Sequence, residues 1–217
     1  MRLARALPPL NAIVDFEVAA RAGWDPVDLA SAFLRGGARF LQIRAKQASS
    51  AEFLAIATRV VELAHGHDAL VVVNDRADVA HLSGADGVHV GQEDLTPRDV
   101  RRVVGDRAIV GLSTHTVEQL TEAVRQPVNY VAIGPVFGSV TKATGYDAVG
   151  LDMVRAAAAY ARQASLPLVA IGGITLDSAE SVLQAGAASV AVIGDLLANG
   201  DPEARVHAFL ERLGETT

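Results

Sequence analysis

Residues 69–90, ALVVVNDRADVAHLSGADGVHV, contain one complete unit of the fold. ALVVV at 69–73 is a short apolar run without polar alternation, the pattern of a strand covered on both faces. Asn74-Asp75-Arg76 ends it, a helical segment follows, and DGVHV at 86–90 reads as the next strand. Strand, helix, strand in that order predicts a parallel pair.

The same alternation extends in both directions. Further strand candidates are NAIVD at 11–15, RFLQI at 39–43, RAIVG at 107–111, NYVAI at 129–133, PLVAI at 167–171 and ASVAVI at 188–193. Between them lie helical patterns. Over 51–65, Phe53, Ile56, Ala57, Val60, Val61 and Ala64 recur at helical spacing. Asp25-Pro26, Thr96-Pro97 and Asp201-Pro202 each set a capping side chain before a proline at the first helical position. Thr116-Val117-Glu118-Gln119 matches a capping box, and Gly36-Gly37, Gly105, Gly186 and Gly214 are stop signals. The glycine- and threonine-rich stretch 134–149 is a long loop, and long loops in compact domains are often functional. Eight βα units in series fit the (β/α)8 or TIM barrel, whose chains run from roughly 200 residues upward. The alternative is an open doubly wound sheet. No G-x-G-x-x-G follows the first strand and no P-loop motif occurs, which weakens its nucleotide-binding forms.

Composition narrows the class. The chain has 217 residues, 50% of them hydrophobic, enough for one substantial core, and residues 1–217 read as a single barrel domain. A formal net charge of -6 gives no support to a nucleic-acid partner. The absence of cysteine excludes disulfides, thiol catalysis and thiolate metal sites, and fits a reducing cytoplasm. The basic start is not followed by a long apolar stretch, so a signal peptide is not expected. No apolar run reaches the roughly 18 residues of a membrane span.

Active sites of such barrels lie at the C-terminal strand ends, and the polar residues of this chain cluster there. Gln42, Arg44 and Lys46 alternate and would share one face of an extended strand end. A guanidinium fork with an ammonium point charge suits a diphosphate; the plainer reading is a solvated basic strand end. Asp75 reads either as the N-cap of the next helix or, with Asp94 past the adjacent strand, as half of a carboxylate pair for Mg2+. Ser113 is a hydroxyl donor or a turn residue. The loop 134–142 carries hydroxyls and Lys142, which would neutralise a leaving diphosphate or sit on a mobile surface. Gly172-Gly173 and Gly194 follow the seventh and eighth strands, where backbone N–H groups often face a phosphate. His89 reads as a satisfied core residue or a site-lining one, and His115 approaches the pocket mouth. No H-E-x-x-H or G-x-S-x-G is present, so neither a zinc hydrolase nor a serine hydrolase is supported.

Taken in order, Gln42-x-Arg44-x-Lys46, Asn74-Asp75-Arg76, Ala85-Asp86-Gly87-Val88-His89-Val90-Gly91-Gln92-Glu93-Asp94, Gly111-Leu112-Ser113-Thr114-His115, Gly134-Pro135-Val136-Phe137, Thr141-Lys142 and Ala170-Ile171-Gly172-Gly173-Ile174 resemble the thiamine-phosphate synthase family over nearly the whole chain. The resemblance implies a (β/α)8 transferase that joins a hydroxymethylpyrimidine diphosphate to a hydroxyethylthiazole phosphate, with Mg2+ as cofactor. It implies that Gln42-Ile43-Arg44-Ala45-Lys46, Asn74, Ser113 and Lys142 hold the pyrimidine diphosphate. Arg44, Lys46, Lys142 and Ser113 would carry catalysis, and Asp75 and Asp94 would hold the metal. Ser139, Val140, Thr141, Gly173, Ile193 and Gly194 would hold the thiazole phosphate. This chain departs from the family pattern at Gly138, where proline is usual, at Ser139, where threonine is usual, and at Gly194, where serine is usual. The rivals are a thiazole tautomerase on a similar barrel, which would need a histidine where Pro135 stands, and a non-catalytic phosphate-ligand barrel, which would be expected to lack the two aspartates.

Overall fold

The computed structural model describes residues 6–138 and 146–214. Eight parallel strands close on themselves in chain order: β1 (Leu10–Asp15), β2 (Phe40–Arg44), β3 (Leu70–Asn74), β4 (Gly87–Val90), β5 (Ile109–Thr114), β6 (Tyr130–Ile133), β7 (Leu168–Ile171) and β8 (Ser189–Val192). The closing contact sets Leu10 opposite Val190 and Ala12 opposite Val192. That contact excludes the open doubly wound sheet.

The outer layer comprises α1 (Phe16–Arg21), α2 (Pro26–Arg35), α3 (Ser50–His65), α4 (Ala77–Ser83), α5 (Pro97–Val104), α6 (Val117–Ala123), α7 (Gly150–Gln163), α8 (Leu176–Gln184) and α9 (Pro202–Arg212). A 3-10 turn, Gly194–Leu197, follows β8. The three proline-led helices start as expected: Asp25 accepts from Val27 N, Thr96 from Asp99 N and Asp201 from Ala204 N. At α6 the capping box is half formed. Thr116 accepts from Gln119 N, but the Gln119 side chain accepts from His115 N, one residue further back. Among the described residues no helix is long and apolar enough to cross a membrane.

Two apolar layers follow from strand alternation. Leu41, Ile43, Val71, Val73, Val88 and Val90 face the helices. Ile13, Phe40, Val72, Ile109, Tyr130, Ala132, Val169 and Ala191 fill the barrel, joined by Leu7 from the segment before β1. Seven strands end within one residue of their expected ends. The exception is β5, which runs on to Thr114 rather than stopping at Gly111. Gly111 is not a terminator. A Cβ there would come within 2.1 Å of the Tyr130 ring, so the glycine makes room inside the barrel while the strand continues. Ser113 is therefore the last inward position of β5.

Candidate active site

Alternation places Asp15, Gln42, Arg44, Asn74, His89 and Ser113 on the inner face near the C-terminal strand ends. These buried or half-buried polar groups lie above a largely apolar layer, and each needs a partner. Arg44 forms an ion pair with Asp15, the residue opposite it in the β1–β2 register. Glu17 stands 3.9 Å from the same guanidinium, and its other oxygen accepts from the backbone N–H of Lys46 and of Gln47, each at 3.0 Å. Glu17 thus anchors the turn that carries Lys46. The Lys46 ammonium pairs with Asp75. Gln42 and Asn74 have no side-chain hydrogen-bond partner among the described residues and face the mouth of the barrel. Within the 42–46 run, Ile43 is turned outward into the helix-facing core, so only its backbone borders the rim.

Asp75 does not cap α4. Arg76 takes the N-cap position without a side-chain capping bond, and the cap reading is corrected. Asp75 has left-handed backbone (φ 65°), and its N–H donates to His89 O at 2.7 Å. Non-glycine residues in that region are uncommon and cluster at functional positions. Burial, above all, raises the Asp75 carboxyl above the usual carboxylate range; Lys46 opposes the shift and the neighbouring Asp94 adds to it. Asp94 also accepts from Gly91 N at 2.7 Å, which folds the β4 loop back toward Asp75. Arg44 and Lys46 against Asp15, Glu17, Asp75 and Asp94 are two cations against four carboxylates, a formal charge of −2 with all four ionised.

Across the mouth is a cavity of about 430 Å³, lined in part by Ser113, His115, Pro135, Gly173, Ile193 and Gly194. The loops after β6 and β7 are pressed together there. Val136 N donates to Ile171 O at 2.9 Å and Phe137 N to Gly172 O at 3.0 Å. A Cβ on Gly173 (φ 64°) would meet Gly138 O at 2.5 Å, so close approach and left-handed backbone both demand glycine. Asp195 accepts from Leu176 N and pairs with Arg205, so its charge is satisfied before any ligand arrives. His115 donates from Nδ1 to Gly134 O and stacks on Tyr146 at 3.9 Å between ring centroids. His89 bridges Tyr130 and Ser113 inside the barrel, so it is at once satisfied and adjacent to the site. Ser139, Val140, Thr141 and Lys142 lie outside the described residues.

The expected residues thus gather into two adjoining groups: Gln42, Arg44, Lys46, Asn74, Asp75 and Asp94 at the ends of β2 to β4, and Ser113, Gly173, Ile193 and Gly194 around the cavity. Sequence reasoning missed Asp15, Glu17 and Tyr130. For Asp15 a signal existed: it is an acid ending an apolar strand, with the inward parity of Ile13.

Fold and rim define a (β/α)8 barrel with its ionisable side chains at the C-terminal strand ends, the arrangement of barrel enzymes. A family model described as thiamine monophosphate synthase matches residues 11–196. The thiamine-phosphate synthase of Koribacter versatilis is 45% identical over 212 residues, covering 95% of this chain and 96% of that protein. That of Anaeromyxobacter dehalogenans is 46% identical over 182 residues, covering 84% and 80%. The solved structure of thiamine phosphate pyrophosphorylase from Pyrococcus furiosus superposes with a TM-score of 0.83 at 30% identity, covering 94% of each chain. The chain belongs to the thiamine monophosphate synthase family of enzymes.

Proposed function

We propose that this protein joins hydroxymethylpyrimidine diphosphate to hydroxyethylthiazole phosphate, releasing diphosphate and forming thiamine phosphate, with Mg2+ as cofactor. The observation that carries the reading is the charge of the β1–β4 rim. A group at −2 repels a diphosphate unless positive charge is added, and it holds two adjacent carboxylates. Mg2+ characteristically takes one or two carboxylates plus phosphate oxygens, so Asp75 and Asp94 fit it. When bound, it would supply charge neutralisation at the departing diphosphate. The chain's own residues do the rest. Arg44 and Lys46 face the diphosphate, with Lys142 as the further cation from the loop after β6. Gln42 and Asn74 offer amide groups to the pyrimidine. The end of the cavity formed by Gly173, Ile193 and Gly194 takes the thiazole phosphate, with Ser139, Val140 and Thr141 from the adjoining loop, while Ser113, on the side of the cavity nearer the β2–β4 rim, meets the pyrimidine diphosphate. The step is a dissociative substitution. The C–O bond to diphosphate breaks with its electron pair leaving on oxygen, and the thiazole nitrogen closes on the methylene carbon. No protein nucleophile is needed, consistent with the absence of cysteine. Residues 1–217 act here as one catalytic domain on small molecules in the cytoplasm. Pro135 lines the cavity at the position where an isomerase would need a proton acceptor.

Incubation with both substrates should release diphosphate and form thiamine phosphate in the presence of Mg2+, and chelation should abolish both. Product formation that is indifferent to chelator would remove the metal from the reading; no product with both substrates and metal present would end it.

The two halves of the site separate kinetically. Gly173→Ala forces a methyl group against Gly138 O and Phe137. It is expected to raise KM for the thiazole phosphate by about tenfold or more, equivalent to about 1.4 kcal/mol, with a far smaller change in KM for the pyrimidine diphosphate. An equal rise in both would show that the Gly173 end of the cavity does not belong to the thiazole phosphate.

A further inference from the structure

A line of three side chains crosses the barrel interior beneath the site. Tyr130 Oη lies 2.9 Å from His89 Nδ1, and His89 Nε2 lies 2.8 Å from Ser113 Oγ. Tyr130 is fully buried and His89 nearly so. The line is rigid. The Phe40 ring packs edge-on to Tyr130 at 6.1 Å, His89 stacks near-parallel to it at 5.5 Å, and Gly111 leaves the space its ring fills. Gln92 Nε2 donates to Ser113 O at 2.6 Å and holds that backbone in place.

The direction of the protons along the line follows from satisfaction of buried groups. Burial pushes the Tyr130 phenol far above its ordinary range, so it remains protonated. Among the described residues His89 Nδ1 is the sole hydrogen-bond partner of Tyr130 Oη. The phenol proton must therefore go to Nδ1, because the reverse arrangement would leave a buried O–H without an acceptor. With Nδ1 accepting, neutral His89 carries its proton on Nε2 and donates to Ser113 Oγ. The Ser113 hydrogen then points away from His89, into the cavity that Ser113 lines.

We propose that Tyr130 and His89 are positioning residues that fix Ser113 as a hydrogen-bond donor into the active site, so that the ligand atom it meets is an acceptor. This rests on the proposed function for its ligand: the acceptor belongs to the pyrimidine diphosphate, a ring nitrogen or a phosphate oxygen. The tautomer itself is a property of the free protein and does not depend on that reading.

The test has two parts. Nitrogen-15 spectra of histidine-labelled, ligand-free protein, with His89 assigned by its loss in His89→Gln, are expected to show Nε2 protonated and Nδ1 bare near neutral pH. Tyr130→Phe should abolish the single tautomer. A proton on Nδ1 in the wild type overturns the proposal whatever the enzyme does. In the two-substrate assay, Tyr130→Phe should lower kcat/KM for the pyrimidine diphosphate about tenfold, the loss of one oriented hydrogen bond, and leave KM for the thiazole phosphate unchanged. Tyr130→Phe combined with Ser113→Ala should be no worse than Ser113→Ala alone, because the relay acts only through that hydroxyl. Losses that multiply, or a Tyr130→Phe effect shared by both substrates, would mean a general packing role and overturn it. If the wild type makes no product while His89 shows the expected tautomer, the proposed reaction fails and the relay stands.

Discussion

Asp75→Asn is expected to cut turnover by about 10²–10³-fold while leaving the protein at least as stable as the wild type. The two halves of that result come from one environment. Asp75 sits with left-handed backbone, where asparagine is among the few residues tolerated. Alanine would add strain of roughly 1–2 kcal/mol there and confuse the reading. Burial and Asp94 together raise the carboxyl above its unfolded range despite Lys46. A raised folded value means that the folded state holds the proton more tightly. The stabilisation from protonation is complete below the unfolded pKa and lost as pH rises through the folded one. At neutral pH the ionised carboxylate therefore burdens the ligand-free fold, and asparagine removes that burden. Thermal unfolding should show Asp75→Asn equal to or above wild type near neutrality, with the difference closing in acid. Mg2+ should raise the unfolding temperature of the wild type and not of the variant. Near wild-type product formation by Asp75→Asn would remove this residue from the metal site.

The fold was legible because strands buried on both faces must be apolar runs, and 69–73 and 167–171 read that way at sight. Read locally, β5 ends at Gly111, and the reason it continues lies across the barrel: whether a glycine ends a strand or admits a ring depends on Tyr130, which no local window contains. The site was half legible for the same kind of reason. Gln42 and Arg44 showed their inward parity in the sequence. The partners of Arg44 did not, because Asp15 meets it through strand register, and an acid at a strand end reads locally as a helix cap. Asp15 is in fact also a cap, accepting from Val18 N at 3.0 Å. Asp75 is the opposite case, since its cap-like position conceals a left-handed residue whose N–H donates to the neighbouring strand β4. The rim carries a formal surplus of acid, because Glu17 and Asp94 add to the carboxylates of Asp15 and Asp75 that pair with Arg44 and Lys46.

That pairing makes Arg44 a structural residue as well as a binding one, and Arg44→Ala should show both losses. Asp15 is only 2% exposed and Arg44 14%, so removing the guanidinium strands a carboxylate away from water. Breaking such a pair from one side costs about 3–5 kcal/mol, which for a chain of this size lowers the unfolding temperature by on the order of 10 °C. The damage should be repaired in part by the second substitution Asp15→Asn. The amide oxygen still accepts from Val18 N while the stranded charge is gone, so Arg44→Ala with Asp15→Asn should unfold above Arg44→Ala alone. Activity should not follow stability. The double variant regains its fold but still lacks the cation facing the diphosphate, and turnover should stay about 10²-fold or more below wild type. Recovery of turnover together with unfolding temperature would show that Arg44 serves only to neutralise Asp15. An Arg44→Ala protein as stable as the wild type would show that the buried pair does not hold these two strand ends together.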